Sequence, residues 1–263
     1  MKQIVLAAVM AAGIMPVCCF AQSAFDGTWK IDANQIHLSD KPEVLVVKDG
    51  MYQCKTCVPP IAIKADGTDQ PVKGHPYFDA IAIHMVDAHT LQETDKRGGK
   101  VVATSTMTLS ADGNQANFEF SDSSAGDGQA VTGKGVMTRV GKPTADTSGF
   151  SGSWKTQKLD SISDNGMLMT FKKDGDMLHM NTPNGLSYDA RLGGADAPFK
   201  GDPGVTTVSV KQMSERHIVE TDKRNGKVIT ISDMTVAPDG KSMDVKMQDK
   251  LHDRNMSFVA LKQ

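Results

Sequence analysis

The sequence predicts an all-β protein built from two tandem antiparallel meander barrels, each with about eight or nine strands. Three observations indicate this fold class: an internal repeat, alternation of apolar and polar residues, and turn dipeptides at short intervals. A meander of this size closes naturally into a barrel, because closure removes its exposed strand edges. A two-sheet β-sandwich made of the same strands is the alternative.

Residues 1–21 are expected to be a secretory signal peptide. A basic residue near the start is followed by a short apolar stretch and by small residues that fit cleavage after Ala21 or Ser23. The apolar stretch is shorter than the ~20 residues that a membrane-spanning helix needs. A lipoprotein cysteine at Cys18 or Cys19 is the alternative, but the residue before Cys18 is not small. We therefore expect a periplasmic or secreted protein with no membrane span.

The rest of the chain contains two copies of one unit. The run around Trp29 recurs around Trp154, and residues 93–101 recur with one change as residues 220–228. Further matched segments keep the same order and nearly the same offset: 48–50 with 173–175, 69–74 with 196–201, and 112–113 with 239–240. Chance does not keep such a register over so many residues, so the copies predict two similar folding units.

These copies give the expected domain boundaries. We predict a first barrel over residues 22–140, a small, polar linker over 141–149, and a second barrel over 150–263. Alternation is clear over residues 78–85 and 205–211, as is typical of half-buried strands. Asp-Gly, Asn-Gly and Gly-Gly dipeptides recur along both copies and supply the positive φ that tight hairpins require.

A short motif recurs at the start and the end of each copy. Gly-x-Trp opens the first strand at residues 27–29 and 152–154, and a basic residue, Arg139 or Lys262, lies on the last strand. This pattern resembles the lipocalin or calycin signature, and the two-copy layout is similar to that of secreted bacterial lipocalin-like proteins. In that family the Trp closes one barrel end and the basic side chain packs across it. The resemblance therefore implies barrel-closing roles for Trp29, Arg139, Trp154 and Lys262.

Cys54 and Cys57 form the one chemically distinctive pair in the mature sequence. The oxidising compartment implied by a signal peptide favours a disulfide. In a regular strand, residues three apart lie roughly 10 Å apart, whereas a disulfide needs Cα atoms within about 7 Å. We therefore predict a turn here and a structural disulfide, with a redox role, a metal site or free thiols as alternatives. The second copy has no cysteine.

Charge and motifs argue against several classes of function. The 263 residues include 29 basic and 31 acidic side chains with no long run of either sign, so we expect no nucleic-acid partner. The chain has no Gly-rich phosphate loop, nucleophile elbow or zinc-protease motif. We interpret residues 93–101 and 220–228 as solvated hairpins, with carboxylates such as Glu93 and Asp95 that have no partner able to raise their pKa.

Methionines crowd one hairpin of the second copy and raise the question of copper(I). A turn at Asp174-Gly175 pairs Met169 with Met180 and Phe171 with Leu178, which places these four on one apolar face. Core filling by flexible side chains explains them better than metal binding. We expect no metal, no cofactor and no catalytic residue.

Three functions remain open, and an enzyme, which would include a thiol-dependent one acting through Cys54 and Cys57, is the least favoured of them. The favoured interpretation is an exported binding protein whose small apolar or amphipathic ligand lies in a barrel mouth or interior, or in the cleft between the copies. The expected ligand-facing residues are inward strand positions: Ile81, Ile83, Met85, Val208 and Val210. The alternative is a structural or interaction protein of the bacterial cell envelope that contacts another envelope protein.

Overall fold

The computed structural model describes residues 23–143 and 147–263, which form two antiparallel, barrel-shaped sheets of ten strands each. The predicted all-β class is confirmed, whereas the predicted count of eight or nine strands is wrong and the sandwich alternative does not apply. The expected signal peptide over 1–21 lies outside the described residues.

Twenty strands follow one another along the chain. In order they are β1 (Gly27–Ile31), β2 (Glu43–Lys48), β3 (Met51–Cys54), β4 (Ile61–Lys64), β5 (Gln70–Pro71), β6 (Ala80–Met85), β7 (Thr90–Arg97), β8 (Lys100–Leu109), β9 (Gln115–Asp122), β10 (Val131–Val140), β11 (Gly152–Ile162), β12 (Leu168–Asp174), β13 (Met177–Asn181), β14 (Ser187–Arg191), β15 (Ala197–Lys200), β16 (Thr207–Ser214), β17 (His217–Arg224), β18 (Lys227–Val236), β19 (Ser242–Asp249) and β20 (Arg254–Lys262). Two single turns of 3-10 helix, Ala33–Gln35 and Asp164–Gly166, complete the regular structure of the described ranges. No helix in these ranges is long and apolar enough to cross a membrane.

The two sheets differ in closure. In the closed barrel, β1 and β12–β20 form a complete ring, because β1 pairs with both β12 and β20. In the open barrel, β2–β11 run in the order β4-β3-β2-β11-β10-β9-β8-β7-β6-β5, and the ends β4 and β5 are not paired with each other. Backbone hydrogen bonds from Gly126 to Gly201 and from Asp127 to Asn184 join the two barrels.

The first strands of the two sequence copies are exchanged. β1 belongs to the first copy but lies in the closed barrel, between strands of the second copy. β11 belongs to the second copy but lies in the open barrel, between β10 and β2. The open barrel therefore spans residues 43–162, and the closed barrel combines 27–31 with 168–262. Strand pairing thus crosses the boundary that the sequence copies suggest.

The exchange also determines which basic residue meets which tryptophan. Arg139 of the first copy lies 4.3 Å from the ring centre of Trp154 of the second copy, and Lys262 lies 5.3 Å from that of Trp29. Both indole N–H groups donate to a backbone carbonyl four residues earlier. Gly152 has φ +144°, and a Cβ at this position would collide with the Arg139 guanidinium, so the glycine of Gly-x-Trp makes room for the basic side chain.

The gap in the open barrel has a local cause. In the closed barrel, β14 and β15 pair through Ser187 with Lys200 and through Tyr188 with Phe199. The position that matches Ser187 in the first copy is Pro60, which has no N–H to donate to a neighbouring strand. β4 and β5 therefore stay apart, and this edge follows directly after the turn that holds the Cys54–Cys57 disulfide.

Each barrel has its own apolar core on the inner face of its strands. The closed-barrel core includes Trp29, Phe171, Leu178, Met180, Tyr188, Val208, Val210 and Ile218, and the open-barrel core includes Leu45, Tyr52, Ile81, Ile83, Leu91, Phe150 and Trp154. The methionine hairpin has a different register from the predicted one, since Phe171 rather than Met169 faces Met180. The two-residue shift preserves the faces, so Met180 is still a core residue.

Candidate binding site between the two barrels

Each exchanged strand pairs only briefly with one of its neighbours. β2 pairs with β11 only over residues 43–45, and β1 pairs with β20 only over residues 29–31. Residues 32–42 then cross from the closed barrel to the open barrel, and the start of this crossing segment stays on β20 through hydrogen bonds of Asp32 with Val259 and of His37 with Ser257. Residues 155–162 of β11 have no strand paired with them on the side that the crossing segment covers.

A cavity of about 340 Å³ lies beside the crossing segment. Its lining comes from both barrels and from the crossing segment: Glu43, Trp154 and Thr156 from the open barrel, Thr230, Met247, Asp249, Arg254, Asn255 and Met256 from the closed barrel, and Leu38, Ser39 and Lys41 between them. Cavities that hold small ligands in proteins measure about 300–1,000 Å³. The volume therefore suits a small molecule.

The cavity has an apolar wall and a charged border. Met247 and Met256 face each other across β19 and β20 and form part of the apolar wall. Arg254 donates a hydrogen bond of 3.2 Å to Glu43 and so links the two barrels across the cavity. Asp249 is 2.6 Å from Nδ1 of His252. This combination of surfaces matches a molecule with an apolar body and a polar group.

The repeated Glu-Thr-Asp segment places carboxyl groups inside both barrels. Glu93 and Asp95 share the inner face of β7 with the core residue Leu91, because alternate strand residues point to the same side. Their matches on β17 are Glu220 and Asp222. Asp95 is only 8% exposed and Glu220 only 9%. The interpretation of these segments as solvated charges is therefore wrong for all four carboxyls, although the hairpin turns lie where the sequence predicts them.

Burial raises the pKa values of the open-barrel pair. Removal from water raises the pKa of Glu93 to about 8, and the charges of Asp95 and Glu43 add to the effect. Removal from water also raises the pKa of Asp95 to about 7, with Asp122 as the second cause. The expectation that nothing raises the pKa of these carboxylates is wrong. Tyr52 faces the same pair, and its pKa is raised by burial and then by the charge of Glu93.

The closed-barrel pair behaves in the same way. Burial raises the pKa of Glu220 to about 7, while a hydrogen bond donated by the Tyr188 hydroxyl acts in the opposite direction. Burial raises the pKa of Asp222 to about 8, and the charges of Glu220 and Asp202 add to it. Each barrel therefore holds a pair of carboxyls that bind protons far more readily than exposed carboxyls do.

One oxygen of each pair has no partner. Among the described side chains, the fully buried oxygens and nitrogens without a hydrogen bond are Oδ1 of Asp95 and Oδ1 of Asp222. These two residues occupy matching positions in the two copies. Buried polar groups in proteins are normally hydrogen-bonded, so the same exception in both barrels is an informative feature.

The register of the strands places both pairs next to the cavity. Asp222 faces Thr230, Thr230 faces Asp249, and Asp249 faces Arg254 on four neighbouring strands. Thr230, Asp249 and Arg254 line the cavity, so Asp222 lies one strand beyond it. In the open barrel, Glu43 lines the cavity and is close enough to Glu93 to affect its pKa.

The sequence-predicted ligand residues lie beside the two acid pairs, which are Glu93 with Asp95 in the open barrel and Glu220 with Asp222 in the closed barrel. Ile83 faces Glu93 and Ile81 faces Asp95 across β6 and β7, while Val210 faces Glu220 and Val208 faces Asp222 across β16 and β17. These four side chains are at most 1% exposed, and Met85 packs against the open-barrel core. None of the five lines the cavity. A direct ligand contact by these residues stays a prediction.

The remaining predicted site residues are distributed over different places. Cys54 and Cys57 form a disulfide at the end of β3, with their Cα atoms 5.4 Å apart. Trp154 lines the cavity, whereas Arg139 packs behind it and donates hydrogen bonds to the carbonyls of Ser151 and Gly149. Trp29 lies in the closed-barrel core.

No protein-family model matches the chain, and no curated protein matches it. The two ten-stranded, barrel-shaped sheets are consistent with a calycin-like fold. Within residues 23–143 and 147–263, no three His, Cys, Asp or Glu side chains are grouped in a way that would hold a metal ion.

Proposed function

We propose that the protein binds a small amphipathic ligand in the cavity between its two barrels. The observation that carries this proposal is the cavity of about 340 Å³, to which both barrels and the crossing segment contribute. Its apolar wall, with Trp154 and Met247, suits the body of such a ligand. The Glu43–Arg254 pair at its border suits a polar group.

The cleft is a better location for the ligand than the ends closed by tryptophan. Trp29 and Trp154 are fully buried, and the core residues around them fill those ends. In the open barrel, β2 pairs with β11 only at residues 152–154, so the rest of β11 has no partner strand on the cleft side. We further propose that the protein is exported and lipocalin-like. The Cys54–Cys57 disulfide supports export, because disulfides persist in oxidising compartments.

Tryptophan fluorescence tests this proposal, because the two tryptophans of the chain lie in different barrels. In the Trp29→Phe variant, Trp154 at the cavity wall is the reporter. In the Trp154→Phe control, Trp29 is the reporter, and Trp29 does not line the cavity. The probes are octyl glucoside, octylammonium and octyl sulfate, each below its micelle-forming concentration.

We expect at least one of these amphiphiles to change the emission of Trp154 saturably and to leave the emission of Trp29 unchanged. Failure of all three to bind would overturn the proposal. A response of Trp29 alone would place the ligand elsewhere and would overturn it as well.

A further inference from the structure

Carboxyl groups outnumber cationic groups around the cavity and on the inner faces next to it. The carboxyls are Glu43, Glu93, Asp95, Glu220, Asp222 and Asp249. The cationic groups that line the cavity are Arg254, which is paired with Glu43, and Lys41, which is paired with Asp253. When ionised, the acid pairs therefore have no cation of the chain to neutralise them at this place.

The acid pairs are not required by packing. An apolar side chain would fill the inner face of a barrel strand without the free-energy cost of burying a carboxyl. Both barrels nevertheless hold the same pair at matching positions, next to a buried tyrosine. The two tyrosines come from non-matching strands, Tyr52 from β3 and Tyr188 from β14. Each barrel therefore contains a polar, acidic site, and the side chains around the two sites differ.

Each site also has a carboxyl oxygen that accepts no hydrogen bond. Asp95 is more than nine-tenths buried and lies on the inner face of the open barrel, and its Oδ1 has no hydrogen-bond partner. Oδ1 of Asp222 is in the same position in the closed barrel. A buried acceptor without a partner has a free-energy cost, which a donor from a bound molecule would remove on reaching it.

We propose that the ligand of the cavity is an organic amine with an apolar chain and that one of the two acid pairs receives its ammonium group. This inference rests on the proposed binding function and defines the chemical class of its ligand. An ammonium group has three N–H donors and no acceptor, which complements carboxylate oxygens without partners. Trp154 and Met247 provide the apolar wall for the chain of the amine.

Amine binding also changes the number of protons that the acid pair holds. An ammonium group beside an acid pair favours the ionised carboxylate, so the pair gives up protons that it holds near neutral pH. The groups that face Glu93 are Asp95, Glu43 and Tyr52. Those that face Asp222 are Glu220 and Asp202. None of these groups is a cation, so the ligand is the group that causes the release.

Calorimetric titration of the full chain with the three octyl amphiphiles tests this inference. We expect octylammonium to bind at least about tenfold more tightly than octyl glucoside or octyl sulfate, as one charge-assisted hydrogen bond allows. Titration at pH 7 in buffers of different ionisation enthalpy should show net proton release with octylammonium and none with octyl glucoside.

The double variant Glu93→Gln/Asp222→Asn should lose about tenfold in octylammonium affinity and its proton release, while octyl glucoside binding is unchanged. Glu119→Gln is the matched control, because Glu119 is an exposed carboxyl on β9. Both variants are first checked by thermal unfolding, and the amides are expected to fold because they remove buried charge.

The outcomes separate the two proposals. Equal binding of all three amphiphiles would overturn the amine inference and leave the binding function standing. Unchanged octylammonium affinity in the double variant would overturn the role of the acid pairs. Absence of binding by every amphiphile would overturn both proposals.

Discussion

Neutralising Asp95 will change how the stability of the protein depends on pH. Asp95 is 8% exposed and burial raises its pKa to about 7, against about 3.9 for aspartate in an unfolded chain. Between these values the folded protein holds a proton that the unfolded chain has released. The free energy of unfolding therefore falls as pH rises, by about 1.4 kcal/mol per pH unit for this carboxyl.

The direction and the size of this pH effect both follow from the difference between the folded and unfolded pKa values of Asp95. The contribution of Asp95 is complete below pH ~4 and is lost as pH rises through about 7, which gives a total of at most about 4 kcal/mol. The amide that replaces the carboxyl in the Asp95→Asn variant does not titrate, and Oδ1 of Asp95 has no hydrogen bond to lose. This variant should therefore match the parent protein near pH 4 and exceed its stability at pH 8.

Urea unfolding from pH 4 to pH 8 measures this difference. In a Trp29→Phe background the fluorescence of Trp154 reports on the open barrel, which also contains Asp95. Glu119→Gln is the control for loss of an exposed charge from the same sheet. Parallel stability curves for the Asp95→Asn variant and the parent protein would refute the reasoning, and so would a variant that is less stable at pH 8.

Two further substitutions test the barrel end and the cavity. Gly152→Ala should destabilise the protein by about 1–3 kcal/mol in urea unfolding, since the φ of Gly152 is +144° and the new Cβ would collide with Arg139. The control Gly99→Ala has a positive φ but open space around it, so it should lower the free energy of unfolding by less. Equal losses of stability in the two variants would contradict the steric argument. Thr156→Phe should fill part of the cavity and abolish the amphiphile binding that calorimetry measures. The control Thr108→Phe, on an exposed face, should leave this binding unchanged. Full binding by the Thr156→Phe variant would exclude the cavity as the site.

The fold class could be predicted because the turn residues carry a direct physical signal. Asn225 and Gly226 have φ values of +52° and +80°, as the predicted hairpin requires. The strand count is higher than predicted because β5 contains only two residues and β15 only four. A strand of two residues is too short to show alternation, and β15 pairs through only two residues with each of its neighbours.

The exchange of first strands could not be predicted from the motif that marks them. Residues 27–29 and 152–154 have the same Gly-x-Trp pattern, so either strand fits either barrel. The barrel that each strand joins depends on the connections that follow it. Residues 32–42 carry the chain from β1 in the closed barrel across to β2 in the open barrel, and residues 163–167 carry it from β11 in the open barrel back to β12 in the closed barrel.

The burial of the acid pairs was not predicted, because charged residues in an alternating pattern are normally assigned to the solvent face. The sequence nevertheless contains the contrary signal. Leu91, Glu93 and Asp95 are two apart, so a strand that buries Leu91 directs the two carboxyls inward as well. The partners that raise their pKa values, such as Glu43 and Asp122, come from other strands and require the sheet to be known.

Expression of two fragments tests the strand exchange most directly. The first fragment, residues 43–162, contains every strand of the open barrel and Trp154 as its sole tryptophan. The second fragment, residues 22–140, is the first sequence copy and contains Trp29 alone. Urea unfolding followed by tryptophan emission should show a buried tryptophan and a cooperative transition for residues 43–162, and a solvent-exposed tryptophan without such a transition for residues 22–140. A cooperative transition for residues 22–140 together with an unfolded 43–162 fragment would contradict the exchange and, with it, the cleft between the two barrels.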